Sequence, residues 1–262
     1  MPYVFWVRIP QEHASSGRWS AHSPRAARPA RGAAENGDCR KGAGVARFAV
    51  ISDLHGNYEN LLAIQEKAAG RVDTVVLTGD YLEAKVSKKD LHRDLCWSLP
   101  DAVDPDAPLW EALSSCVLVR GNQEERITTV LRDRDVPDAL EALLAAPPER
   151  ATPTTRFVHG HRFNWFREGE DLSHPVLDAL PDRPVLIHGH SHRRRLTTGL
   201  EATGQHTPLR LEPETGRVYQ LPRSGVCLVN AGAAGDREAH WVLYDEEART
   251  VTFETVRTTG VR

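Results

Sequence analysis

Phe48-Ala49-Val50-Ile51-Ser52-Asp53-Leu54-His55-Gly56-Asn57 is the stretch on which the fold turns. Four apolar residues, Phe48–Ile51, run unbroken into a polar segment. A short continuous apolar run of this kind reads as a strand buried on both faces. Asp53 and His55 stand two apart, so in an extended segment both side chains leave on one side. Asn57 can cap a helix that carries Tyr58, Leu61, Leu62 and Ala69 on one face, and Gly70 marks its stop.

The same arrangement recurs along the chain. Thr74–Leu77 leads into Thr78-Gly79-Asp80, and Val117–Val119 leads into Arg120-Gly121-Asn122. Phe157–Val158 leads into His159-Gly160-His161, and Val185–Ile187 leads into His188-Gly189-His190-Ser191-His192. In an α/β sheet, ligands bind beyond the carboxyl ends of the strands. Five strand ends that deliver Asp, His and Asn to one edge would build a metal site, with glycines permitting tight turns. A lone D-x-H is common by chance; five such ends in order are not.

Each residue also has a plainer reading. Asp53 and Asn57 could cap the following helix, and Asp80 and Asn122 could be turn residues. His159, His190 and His192 could be structural histidines; three of them at strand ends argue against that. For His161 and His188 the reading is packing, or orientation of a neighbouring ligand. Arg193–Arg195 read as a solvated face; the alternative is that one arginine draws an anionic substrate inward.

Outward from these strands, the composition sets bounds. The chain has 262 residues, 40% apolar and 26% charged, enough to bury a core. A net charge of −3 supplies no overall positive field for nucleic acid. No apolar run approaches the ~18–20 residues of a membrane helix. Tyr3–Ile9 is short, contains Arg8 and is not read as a signal peptide. The four cysteines form no C-x-x-C pair, so a reduced, cytoplasmic protein is expected.

Residues 13–44 are rich in Ala, Arg, Gly, Ser and Pro, so residues 1–45 are expected to be a disordered or non-native N-terminal tail. Arg25, Arg28 and Arg31 cluster there without interleaved aromatics for base stacking. Glu83–Ser115 reads as a surface excursion with short helices. Asp135 and Pro137 open a further helix that ends at Pro147–Pro148 and turns Leu140, Leu143 and Leu144 inward. Beyond Gly204 come short strands: Thr207–Leu211, Val218–Leu221, Val226–Val229, Trp241–Tyr244 and Val251–Thr255. The first half is β-α-β and the second mostly β, which suggests two packed sheets with outer helices.

The ordered series D-x-H-G-N, G-D, G-N, H-G-H and G-H-S-H resembles the calcineurin-like metallophosphoesterase superfamily, from roughly Phe48 to the C-terminus. Asn230-Ala231-Gly232 is similar to an N-P-G turn late in its compact prokaryotic, phosphodiesterase-like members. The resemblance implies that residues 46–262 form a metallophosphoesterase domain with an α/β fold. That fold is a four-layer α-β-β-α sandwich of two mixed sheets with outer helices.

It implies Asp53, His55 and His192 as ligands of a first metal and Asn122, His159 and His190 as ligands of a second, with Asp80 bridging them. Carboxylate, amide and imidazole donors suit Mn, Fe, Zn, Co or Ni, of which Mn is favoured here. One Asp80 oxygen on each ion would hold them at ~3.5–4 Å, and a bridging water would lose a proton and act as nucleophile. The implied activity is metal-dependent hydrolysis of phosphate esters, with diesters or small phosphorylated molecules as substrates.

The chain departs from the family where many members carry Asn-His-Asp/Glu. Here the residues are Gly121-Asn122-Gln123-Glu124, and Gln123 cannot donate a proton. His161 or His188 then becomes the candidate proton donor. Gly79–Glu83 reads G-D-Y-L-E rather than the G-D-x-x-D-R-G of protein serine/threonine phosphatases. A protein phosphatase, a nucleic-acid-processing phosphoesterase and a catalytically weak scaffold stand as alternatives. The expected partner is a small phosphorylated substrate, with neither membrane nor nucleic acid.

Overall fold

A computed structural model describes residues 46–91, 97–131, 136–201 and 208–258. The expected N-terminal tail, residues 1–45, lies outside the described residues. The chain begins β1 (Arg47–Ile51), α1 (Tyr58–Ala68), β2 (Thr74–Leu77), α2 (Leu99–Ala102), α3 (Ala107–Ser114), β3 (Val117–Leu118), α4 (Asn122–Leu131) and α5 (Asp138–Leu144). It continues β4 (Glu149–Ala151), β5 (Thr155–Val158), β6 (Asn164–Glu168), β7 (Asp171–Val176), β8 (Val185–His188), β9 (Arg194–Leu200) and β10 (Leu209–Leu211). It closes with β11 (Val218–Gln220), β12 (Val226–Ala231), β13 (Glu238–Asp245) and β14 (Thr250–Arg257).

Two six-stranded sheets result, ordered β11-β14-β13-β1-β2-β3 and β10-β9-β12-β8-β5-β4, and β6 and β7 pair separately. Both large sheets are mixed. β1, β2 and β3 run parallel while β13 joins β1 antiparallel. β12, β8 and β5 run parallel while β9 and β4 flank them antiparallel. The α/β sandwich of two mixed sheets with outer helices is thus present.

Side-chain alternation explains the layers. In β1, Phe48 and Val50 face the second sheet, while Ala49 and Ile51 face the helices. The helical layer brings Leu61, Ile64, Leu113, Ile127 and Leu140 onto that outer face, all fully buried. On the second sheet the outer face carries Leu186, Val226 and Leu228. Phe163, Leu177 and Leu180, from the segments flanking the β6–β7 hairpin, cover it.

Several local expectations change. In α1 the buried face is Asn60, Leu61, Ile64 and Ala68, and Leu62 is exposed. The 83–115 insertion is more than a surface excursion: Leu109, Trp110 and Leu113 of α3 sit in the helical core. α4, β4, β6, β7 and β9 were not expected. Asp135 lies outside the described residues, and α5 starts after Pro137. No helix among the described residues is long and apolar enough to cross a membrane.

Candidate metal centre

The loops after β1 and β2 extend the parallel ladder beyond the strands. Asp53 donates its amide to the Gly79 carbonyl at 3.1 Å, and His55 donates to that of Asp80 at 2.9 Å. Gly235 donates to the Asp53 carbonyl at 2.8 Å from the loop after β12. The loops after β5 and β8 are tied by Gly189 N–H to the His159 carbonyl at 3.1 Å. The sheets meet where His190 N–H donates to Asp53 Oδ2 at 2.9 Å. A side chain on Gly189 would collide with the Ser52 hydroxyl, and a Cβ on Gly79 (φ +97°) would stand 2.6 Å from the His159 ring.

Asp53, His55, Asp80, His190 and His192 all have left-handed backbone, with φ of 52°, 49°, 52°, 74° and 59°. Asp53 and His55 therefore do not converge through an extended segment; left-handed residues turn the chain so that both side chains face inward. Non-glycine residues in this region are uncommon and cluster at functional sites.

Among the described residues, two groups could each hold a metal ion: Asp53, His55 and His192, and Asp80, His159 and His190. Within each group the candidate ligand atoms lie within 4.8 Å of one another. His55 Nε2 is 3.3 Å from His192 Nε2, and His190 Nδ1 is 3.3 Å from His159 Nε2. Two nitrogens bound at about 2.1 Å to one ion stand about 3.0–3.4 Å apart at angles near 90–109°, so both pairs fit. Asn122, at the start of α4, places Oδ1 3.2 Å from His159 Nε2 and adds an amide oxygen to the second group.

The carboxylates show the same fit. Asp53 Oδ2 accepts from Ser52 Oγ at 2.6 Å and from His190 N–H. Its Oδ1 is buried without a well-aligned hydrogen bond, 3.3 Å from His192 Nε2 and 3.9 Å from His159 Nε2. A buried carboxylate oxygen in that condition is costly, and a cation would satisfy it. Asp80 Oδ1 accepts from Gln123 N–H at 2.8 Å, leaving Oδ2 facing His159 at 3.2 Å.

Charge balance follows. Burial would raise the Asp53 pKa, but His159, His192 and Ser52 hold it well below the carboxylate range. Burial would lower His159, yet Asp80 and Asp53 lift it to about 9. Burial and the nearby His159 push His190 down to about 4. His192 is raised by its contact with Asp53. His55 is raised against its burial by Glu83.

Other candidates fall outside the two groups. Asn57 caps α1, accepting from Asn60 N–H at 3.1 Å, and its amide donates to the Gly235 carbonyl at 3.2 Å. His188 is buried beside Phe163 and Trp165, and burial pushes it to about 4. The His161 ring is 5.3 Å from that of His159, and its Nε2 meets Glu125 at 3.1 Å.

Two glutamates escaped the sequence reading. Glu83 meets His55 Nδ1, the nitrogen turned away from His192. Glu124 is buried and accepts backbone N–H bonds from Asp80, Leu82 and Gly121 at 3.0, 2.9 and 2.8 Å. Asn230, noted only as part of a turn, donates to Ser191 Oγ at 2.8 Å and steadies the G-H-S-H loop.

A profile of the calcineurin-like phosphoesterases matches residues 46–194. No curated protein matches the chain. The crystal structure of a metallophosphoesterase from Sphaerobacter thermophilus shares the fold, with a TM-score of 0.53 and 21% identity over 80% of this chain and 88% of that one. Yfce, a phosphoesterase from E. coli, is similar at 22% identity over 76% of this chain and 88% of that one, with a TM-score of 0.38.

Proposed function

The chain belongs to the calcineurin-like phosphoesterase family, and from that premise we propose that it is a dinuclear metal-dependent hydrolase of phosphodiesters or small phosphorylated molecules. The observation that carries this reading is the pair of three-residue donor groups drawn from both sheets onto one edge. Asp53, His55 and His192 would hold one ion, Asn122, His159 and His190 the other, with Asp80 as the carboxylate they share. Mixed imidazole, amide and carboxylate donors favour Mn, Fe, Co, Ni or Zn, and Mn is the ion we choose for reconstitution. When bound, such a pair activates water at neutral pH and neutralises phosphate oxygens.

The chain's own groups set the geometry. Ser52 and the His190 amide fix the Asp53 carboxylate, so that Oδ1 alone points into the centre. The Thr78 carbonyl meets His159 Nδ1 at 2.9 Å, which leaves Nε2 to face Asp80 and Asn122. Gln123 supplies no acid: its amide oxygen accepts from Ala84 N–H at 3.2 Å, and its backbone N–H holds Asp80. A leaving group must then depart as an anion or take its proton from water or a nearby imidazole such as His161.

The test uses metal-stripped protein reloaded with Mn²⁺. Elemental analysis should give about two ions per chain, with turnover of bis(4-nitrophenyl) phosphate restored in step. One ion or none at saturation would refute the dinuclear centre. Two ions without turnover across a panel of mono- and diesters would refute the hydrolase. The net charge of −3 gives no general field for polyanions, so excess single-stranded DNA at low salt should leave small-ester turnover unchanged.

A further inference from the structure

A cleft of about 410 Å³ lies on the outer face of the second sheet, between β5 and the segment 177–181. That volume falls in the range of small-molecule sites, roughly 300–1,000 Å³. Val158, Phe163, Leu177, Leu180 and Leu186 give it an apolar lining. His159, Gly160 and His161 also line it, so it shares a wall with the candidate metal centre. The ring of His161 stands 5.3 Å from His159 and 6.3 Å from His190.

Charge decides what the cleft would take. Its two guanidinium groups are already engaged. Arg162 donates to Glu125 at 2.5 Å, and Arg156 is paired with Glu149 and stands 3.6 Å from Asp182. A second phosphate would have to break those pairs. An apolar group would displace water from the part-exposed Leu177 and Leu180 without disturbing those pairs.

We propose that this cleft seats an apolar arm of the substrate: a short alkyl chain or single aryl ring carried on a phosphodiester whose phosphorus sits at the metal centre. The proposal rests on the reading of that centre given above and narrows its substrate class. With an alkyl 4-nitrophenyl phosphate as substrate, water adds its oxygen to phosphorus and loses a proton to solvent. The bond from phosphorus to the 4-nitrophenyl oxygen breaks, and 4-nitrophenolate leaves with the electron pair. The alkyl phosphate that remains keeps its arm in the cleft.

The experiment compares methyl, butyl and hexyl 4-nitrophenyl phosphates on Mn²⁺-loaded protein, so that the leaving group stays constant. Burial of the added methylenes should raise kcat/KM at least about tenfold from methyl to hexyl. Leu180→Trp, which fills the cleft, and Ala179→Asp, which places a charge at its exposed wall, should each flatten that rise. A flat series in the unmodified protein overturns the proposal, as does an equally steep series in both variants. Calorimetry with methylphosphonate and hexylphosphonate supplies a readout that needs no turnover. Hexylphosphonate should bind about tenfold more tightly, with a negative heat-capacity change, and equal affinities overturn the proposal. Failure of all diesters with two ions bound, but with that binding preference intact, would sink the hydrolase reading and leave the cleft standing.

Discussion

The two candidate ligand groups are built alike and housed differently. In the first, the His192 side chain is 45% exposed and that of His55 21%, whereas the His159 side chain in the second is fully buried. The second group is braced on several sides, by the Thr78 carbonyl on His159, the Gln123 amide on Asp80 and the Glu124 carboxylate beneath the Asp80 loop. In the first, Ser52 and the His190 amide hold the buried Asp53, while the histidines' one brace described above is Glu83 at His55. One carboxylate and two imidazoles can thus form a closed seat or an open one, depending on which loops surround them. The open group should exchange its ion more readily, and the closed one should define the centre.

The hardest blow to that contrast falls on Asp80, the carboxylate proposed to be shared. Asp80→Asn should lower kcat/KM by about 10³-fold, equal to roughly 4 kcal/mol of transition-state stabilisation. It should also reduce bound metal below two per chain, and kinetics with elemental analysis check both. Retained activity would mean that the groups act independently of Asp80. Next in size, His192→Ala should weaken one of two resolved Mn²⁺ affinities by about 10²-fold and leave the other within a few-fold. Equal loss at both would erase the distinction between open and closed.

A smaller effect tests the bracing. Glu83→Gln should cost about tenfold in the weaker Mn²⁺ affinity alone, since residues that orient ligands contribute roughly 10–100-fold. Loss of the tighter affinity instead would reverse the assignment. The smallest expected effect concerns pH. His159 sits at about 9 in the metal-free protein, above its ordinary 6.5. The charged imidazole therefore contributes stability that is fully present below about pH 6.5 and is lost as pH rises through about 9. Thermal melts with chelator present should show Tm falling by several degrees across that window. Loaded protein should not show the decline, because a ligating histidine has already given up its proton. A level profile in chelator would show that His159 is not held charged between Asp80 and Asp53.

The strand ends were legible because each combines an apolar run with an unusual polar residue, as in Phe48–Ile51 followed by Asp53 and His55. Parallel strands buried on both faces permit few other patterns. Glu83 and Glu124 were not legible as bracing groups. Their partners, His55 and the amides of Asp80 and Leu82, lie 28 to 44 residues away, and no local period reports such a contact. Glu124 was in view beside Gln123, where the reading concerned proton donation. Its buried carboxylate instead gathers three amides, and burial, then Asp80, raises it to about 7. The β6–β7 hairpin was missed because Asn164–Glu168 is mostly exposed and β7 contains Pro175, which weakens its strand signal.

β1 lies between β2 and β13 in the first sheet, and this order fixes when the molecule can complete itself. During synthesis Asp53 and His55 emerge early, yet β13 and β14, which extend that sheet, end only at Arg257. Until then one edge of β1 is unpaired, and Phe48 and Val50 lack Tyr244 and Phe253, which share their core. Such long-range pairing is slow, because loop closure precedes its reward. Removal of β13 and β14 should therefore yield a sticky, unfolded chain rather than a smaller working unit, and the centre should acquire its ions only once β14 has been made and paired.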